Sequence, residues 1–134
     1  MKRTHTIIPR RIRLELSVDP QRYTCALKNF PGHVCEGRIT REHATYYAGK
    51  KIQERWAIIF LCANGHGVDL HQDAPGQLPK EVRQWVALNQ ATISELEKYD
   101  RAFPSFLNQR KYLNDVFGEY TPPALPLYPS LINY

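Results

Sequence analysis

Residues 56–61 read WAIIFL, a continuous apolar run bounded by Arg55 and Cys62. The run is far shorter than the roughly 18 apolar residues of a membrane span. Its length and its Ile and Phe content favour a buried strand over a helix. A chain with such a strand at its centre must supply a core around it. At 134 residues, with 43% hydrophobic residues, it has enough for one modest domain.

The segments on either side carry their own periodicities. Residues 5–16, HTIIPRRIRLEL, partly alternate, with Ile12, Leu14 and Leu16 on one face and Arg11, Arg13 and Glu15 on the other. That pattern predicts a strand, with Pro9 at its start or edge and Asp19-Pro20 as a turn. Residues 24–36 read as loop and residues 37–47 as β-rich. Gly49-Lys50-Lys51 reads as an exposed basic loop, and a short helix is expected just after Cys62. From Leu78 onward Val82, Trp85, Val86 and Leu88 have helical spacing, with Pro79 suited to a first turn. Thr92 to Glu95 fits a capping box, and residues 105–117 form a third helical segment stopped by Gly118. The tail 121–134 holds four of the ten prolines and predicts an extended surface segment. The basic N-terminus lacks an apolar stretch and a cleavage site, so neither a secretory signal nor a membrane association is expected.

Charge is unevenly spread. Residues 1–55 hold 12 Lys/Arg against 5 Asp/Glu, whereas residues 56–134 hold 6 against 8. A one-sided basic field attracts phosphate backbones, though a solvated basic face gives the same count. Cys25, Cys35 and Cys62 are an odd number without a dense disulfide pattern. Reduced thiols are the expectation, metal ligation and a single disulfide being the alternatives.

Cutting a phosphodiester needs a general base near neutral pKa and a divalent cation to offset developing charge. The segment 42–71 holds a fitting set in Glu42, His43, His66 and His71. Neighbours on a regular strand point to opposite faces, so Glu42 and His43 reach one phosphate only at a kink or a strand end. His66 and His71, five apart, are off the helical spacing of three or four.

The stretch CEGRITREHATYYAGKKIQERWAIIFLC (35–62), followed by Ala63, Asn64, Gly65 and His66, resembles the HNH nuclease motif, and small phage-type HNH proteins in particular. The resemblance spans about residues 35–71, and KEVRQWVALNQATISELEKYD (80–100) also looks like that phage group. It implies an α+β fold: a ββα-metal core, here with an N-terminal β segment and additional C-terminal helices. The whole chain would be one HNH-like domain, with a catalytic core at 35–73, helices at 78–118 and the proline-rich tail at 121–134. The implied activity is endonucleolytic hydrolysis of DNA by a divalent metal (Mg, Mn, Ni or Zn). His43 would be the general base, Glu42 and His66 metal ligands, and His71 a third ligand or a phosphate contact. Arg38, Arg41, Lys50, Lys51 and Arg55 would grip the DNA backbone with little sequence preference. The implied setting is the cytoplasm of a bacterial host, with the chain encoded by a phage or prophage.

The chain departs from that family's pattern at three places. Gly65 stands where the second Cys of the second pair belongs. Cys35 lacks a partner at CxxC spacing, although His33 is near and Cys25 lies ten residues upstream. A structural zinc held by Cys25, Cys35 and Cys62 plus one histidine therefore stays open on ligand type. The asparagine that orients the base in the family is replaced by Ala57, with Gln53 and Asn64 as candidate substitutes. Those departures favour a rival, a non-catalytic zinc-stabilised nucleic-acid-binding module. The adjacent Glu42-His43 pair favours the enzyme, since a structural zinc has no use for it. A third alternative is a phage adaptor that binds a protein through the proline-rich tail.

Overall fold

The computed structural model describes residues 7–66 and 78–125. In chain order the elements are α1 (Arg10–Ser17), β1 (Ile39–His43), β2 (Tyr46–Tyr47), β3 (Lys50–Lys51), β4 (Ile58–Cys62), α2 (Ala63–His66), α3 (Lys80–Gln90), α4 (Ile93–Glu97) and α5 (Phe106–Phe117), with a 3-10 turn at Arg55–Ala57 before β4. The fold is α+β. β1 and β4 pair antiparallel, with Ile39 opposite Cys62, Arg41 opposite Phe60 and His43 opposite Ile58.

Every residue of β4 is buried, because helices cover both faces of the hairpin. Ile58 and Phe60 pack with Ile12 and Leu16 of α1. Ile59 and Leu61 join the larger core with Val82, Val86 and Leu88 of α3, Leu96 of α4 and Phe106 and Leu113 of α5. A strand that meets apolar side chains on both sides has no polar face to show, hence the unbroken WAIIFL run. The Gln90 side-chain amide ties α3 to the start of β4 by donating to the carbonyls of Trp56 (2.9 Å) and Ile58 (3.1 Å).

The helix ends follow local chemistry. Thr92 and Glu95 form a reciprocal capping box at α4. The Ser105 hydroxyl accepts from the Asn108 N–H at the start of α5. Gly118, at φ 88°, ends α5, a conformation that costs glycine little. Behind them Trp85 Nε1 donates to Asn114 Oδ1 (2.9 Å) and to the Gly118 carbonyl (3.0 Å), locking α3 to the end of α5. The described part of the tail folds back: Tyr120 donates to the Ala26 carbonyl, and the Pro123 carbonyl accepts from Gln21.

The N-terminal β segment expected from the sequence is instead helix α1. Ile12, Leu14 and Leu16 alternate, but Ile12 and Leu16 are also one helical turn apart. Both are fully buried, whereas Leu14 is 55% exposed. Arg10, Arg11, Arg13 and Glu15 are good helix formers that keep their charges in water on the outer face. The basic loop at Gly49 is also more ordered than expected. Ala48 (φ 53°) and Gly49 (φ 78°) make a two-residue turn, and β2 pairs with β3, Tyr46 opposite Lys51 and Tyr47 opposite Lys50.

Helix and strand predict different mutational profiles at α1. On a strand Leu14 and Leu16 would share a buried face, and both truncations would be costly. On this helix Leu16→Ala should lower the unfolding free energy by about 2–5 kcal/mol, and Leu14→Ala by about 0.5 kcal/mol or less. Urea denaturation of the two variants checks this.

Candidate metal centre and histidine site

Residues 18–38, between α1 and β1, hold no helix or strand. They converge on the end of β4 through four side chains, Cys25, His33, Cys35 and Cys62, whose ligand atoms all lie within 4.8 Å of one another. His33 Nε2 is 3.7 Å from Cys25 Sγ and 3.4 Å from Cys62 Sγ. A tetrahedral ion with bonds of about 2.0–2.3 Å to nitrogen and sulfur needs donor separations of roughly 3.5–3.8 Å. The four donors fit such an ion after a small contraction, and three thiols with one imidazole are a borderline-soft set suited to a transition metal.

The backbone shapes this cluster. The Ala26 N–H donates to the Phe60 carbonyl (2.7 Å), laying Cys25 alongside β4. Backbone N–H groups of Cys62 and Leu27 point at the Cys25 sulfur. Asn64 clamps the other side, its side chain donating to the Val34 carbonyl (2.7 Å) and its N–H to the Glu36 carbonyl (3.1 Å). Gly37 makes the approach possible. It holds φ +82°, and a Cβ there would lie 2.7 Å from Ala63 Cβ, closer than carbon atoms pack.

Without a cation, Cys25 and Cys35 favour the protonated thiol. Desolvation of its sulfur, then the nearby Cys25 thiol, pushes Cys35 up to about 12, although the residue as a whole is exposed. Cys25 is raised mainly by burial, against its two backbone N–H donors. A bound cation reverses that balance, because thiolates are its ligands and binding releases their protons.

The second feature lies at the other end of the hairpin. His43, half-buried at the end of β1, has Nε2 2.9 Å from Gln53 Oε1. The Gln53 amide nitrogen donates to the Ile7 carbonyl (3.3 Å), which turns its oxygen toward His43. An acceptor at Nε2 requires the Nε2–H tautomer and leaves Nδ1 as the free lone pair. Of the two candidate substitutes for the missing asparagine, Gln53 meets the histidine and Asn64 serves the cysteine cluster. Ala57, at the asparagine's position, is fully buried in the turn before β4, and its carbonyl accepts from Ala44 N–H (2.9 Å).

Glu42 points to the opposite face of β1, as strand alternation requires. There it forms an ion pair with Arg83 of α3, with only 12% of its side chain exposed. No local pattern marks Arg83, which comes from 41 residues away. It is, however, a cation beside Val82, Trp85 and Val86 on a helix whose apolar face is buried. The backbone of His66 closes α2, whereas its side chain and the whole of His71 lie outside the described residues. Arg38, Arg41, Lys50 and Lys51 are exposed. Arg55 is turned inward, its guanidinium bonded to Asp19 (2.6 Å) and to the Ile58 carbonyl (2.8 Å) and lying over Phe60. It serves the fold more than a surface.

No protein-family model matches the chain, and no curated protein or solved structure matches it. No helix among the described residues is long and apolar enough to cross a membrane.

If the four-donor cluster carries an ion that supports the fold, a strong chelator should lower the melting temperature of the wild-type chain. Cys62→Ser should melt near the chelated wild type and respond little to further chelation. Calorimetry with and without chelator measures both, and superimposable wild-type scans would rule out a stabilising ion.

Proposed function

We propose that this protein is a metal-dependent DNA endonuclease of the HNH kind, built on a hairpin braced by a structural zinc. The observation that carries the reading is the His43–Gln53 hydrogen bond. A general base must present one ring nitrogen in a fixed tautomer, and Gln53 supplies the acceptor that the resemblance assigns to an asparagine at the position of Ala57. In this role His43 Nδ1 takes the proton of an attacking water, and Gln53 steadies the imidazolium that results. Cys25, His33, Cys35 and Cys62 would hold the zinc as a closed four-ligand site, which supplies stability and no open position for chemistry. A catalytic divalent cation would offset charge on the phosphate and the leaving oxygen, with Glu42 and His66, joined by His71, as its ligands by resemblance. Among these the Glu42 carboxylate is described, and Arg83 already neutralises it, so a cation there competes with a guanidinium. The exposed Arg38, Arg41, Lys50 and Lys51 give the DNA backbone cationic partners on the same half of the chain. A phage or prophage setting belongs to this reading as well.

The Glu42–Arg83 pair favours a second reading, in which the hairpin is a zinc-stabilised module that binds nucleic acid without cutting it. The two separate on plasmid nicking with magnesium or manganese. The endonuclease reading expects His43→Ala to lower the nicking rate by roughly 10²–10⁴-fold, with duplex binding and melting temperature nearly unchanged. Gln53→Ala should lower the rate in the same direction by a smaller factor. A wild-type chain that binds duplex DNA yet never nicks it supports the second reading.

A further inference from the structure

We propose that the groove between β2 and the α4–α5 connection binds an unpaired DNA strand, with bases stacked on Tyr46 and Phe103. The choice of DNA over another polyanion rests on the endonuclease reading. The groove is open, with a volume of about 590 Å³, and its walls include Tyr46, Tyr47, Gln84, Arg101, Phe103 and Gln109.

Three observations converge there. The first is aromatic exposure. Phe103 is 97% exposed and Tyr46 48% exposed, so two large rings are held in water at the edge of one groove. Their supports are rigid. Tyr47 packs edge-on against Tyr99 (4.9 Å between centroids) and near Phe106. The Tyr47 hydroxyl accepts from the Arg101 N–H (3.2 Å), which pins the connection to β2. The backbone that carries the two rings is thus held on both sides of the groove, so base stacking orders the side chains and not the loops.

The second observation is charge. Among the described residues no carboxylate lines the groove, and Arg101 is its one ionisable basic side chain. Lys51 and Lys50 stand across the small hairpin from Tyr46 and Tyr47, both exposed. Aromatic faces interleaved with cations suit a strand whose bases are free and whose phosphates run alongside. A duplex keeps its bases stacked on each other and has no ring face to offer.

The third is polar capacity and position. Gln84 donates to Gln109 Oε1 (2.7 Å), and the pair retains a carbonyl oxygen and N–H groups for base edges. Tyr46 follows His43 by three residues, so their Cα atoms are at most about 10–11 Å apart. The edge of the groove at Tyr46 therefore lies within that distance of the end of β1, although the His43 ring turns to the other face, toward Gln53. The substrate class that follows is DNA with an unpaired segment, such as a branch, flap or gap.

The test uses the full chain without added magnesium or manganese, and fluorescence anisotropy on a labelled 12-nucleotide oligothymidine and on a duplex of equal length. Phe103→Ala and Tyr46→Ala, both at exposed positions, should each weaken oligothymidine binding roughly 5- to 150-fold, the loss for one stacked base. Duplex affinity should change less than twofold. Arg101→Gln should flatten the salt dependence on oligothymidine by about 0.7 in log–log slope, one phosphate contact on a single strand. Equal losses on both DNAs, unchanged oligothymidine affinity in the aromatic variants, or no oligothymidine binding by the wild type would each overturn the proposal. So would competition by poly-glutamate as effective as by oligothymidine, or a wild-type dimer in sedimentation that Phe103→Ala dissolves. Plasmid nicking separates the two claims: nicking intact with no groove effect removes the groove alone, and groove binding intact with no nicking removes the endonuclease reading alone.

Discussion

The convergence of Cys25, His33, Cys35 and Cys62 is the constraint on which the first half of this protein depends. A long segment without helix or strand is unusual inside a small domain and needs something to hold it. Residues 18–38 are such a segment, and three of the four donors belong to it. The fourth, Cys62, ends β4, so an ion at this point joins an irregular segment to the most deeply buried strand. Such a tie would set where β1 begins, and thereby where Glu42 and His43 emerge. Without an ion, Cys25 and Cys35 favour the protonated form beside Cys62 and His33, a weak bond to the rest of the core. A bound cation would turn the same four groups into a strong link in that region.

The hairpin carries the consequence to its other end. β4 is clasped by α1 on one face and by α3, α4 and α5 on the other, which leaves its partner β1 little freedom. His43 is fixed by Gln53, and Gln53 by the backbone ahead of α1. Glu42 is fixed by Arg83 of α3. Two adjacent side chains of opposite character are thus held on opposite faces, one by a partner 10 residues on and the other by a partner 41 residues on. The small β2–β3 hairpin follows at once and presents Tyr46, Lys50 and Lys51 outward.

Much of this was legible in the sequence, for local reasons. The WAIIFL run, the Thr92–Glu95 capping box, the helical spacing around Trp85 and the Gly118 stop each depend on near neighbours. The register of α1 was not, because Ile12, Leu14 and Leu16 satisfy two periods and only packing against Ile58 and Phe60 selects one. The three cysteines were recognisable as candidate ligands by type. The fourth donor, His33, was visible only as a near neighbour of Cys35, since Cys25 and Cys62 reach it through the fold. Gln53 and Asn64 stood as equal candidates until the chain path separated them. The Glu42–Arg83 pair left no local mark at all, because it spans two elements far apart in sequence.

X-ray absorption on the metal that accompanies the purified chain tests the central claim most directly. A structural ion at this cluster predicts about one metal per chain, with three sulfur neighbours near 2.3 Å and one nitrogen near 2.0 Å. A first shell of oxygen and nitrogen alone, or a folded chain that carries no stoichiometric metal, would contradict it.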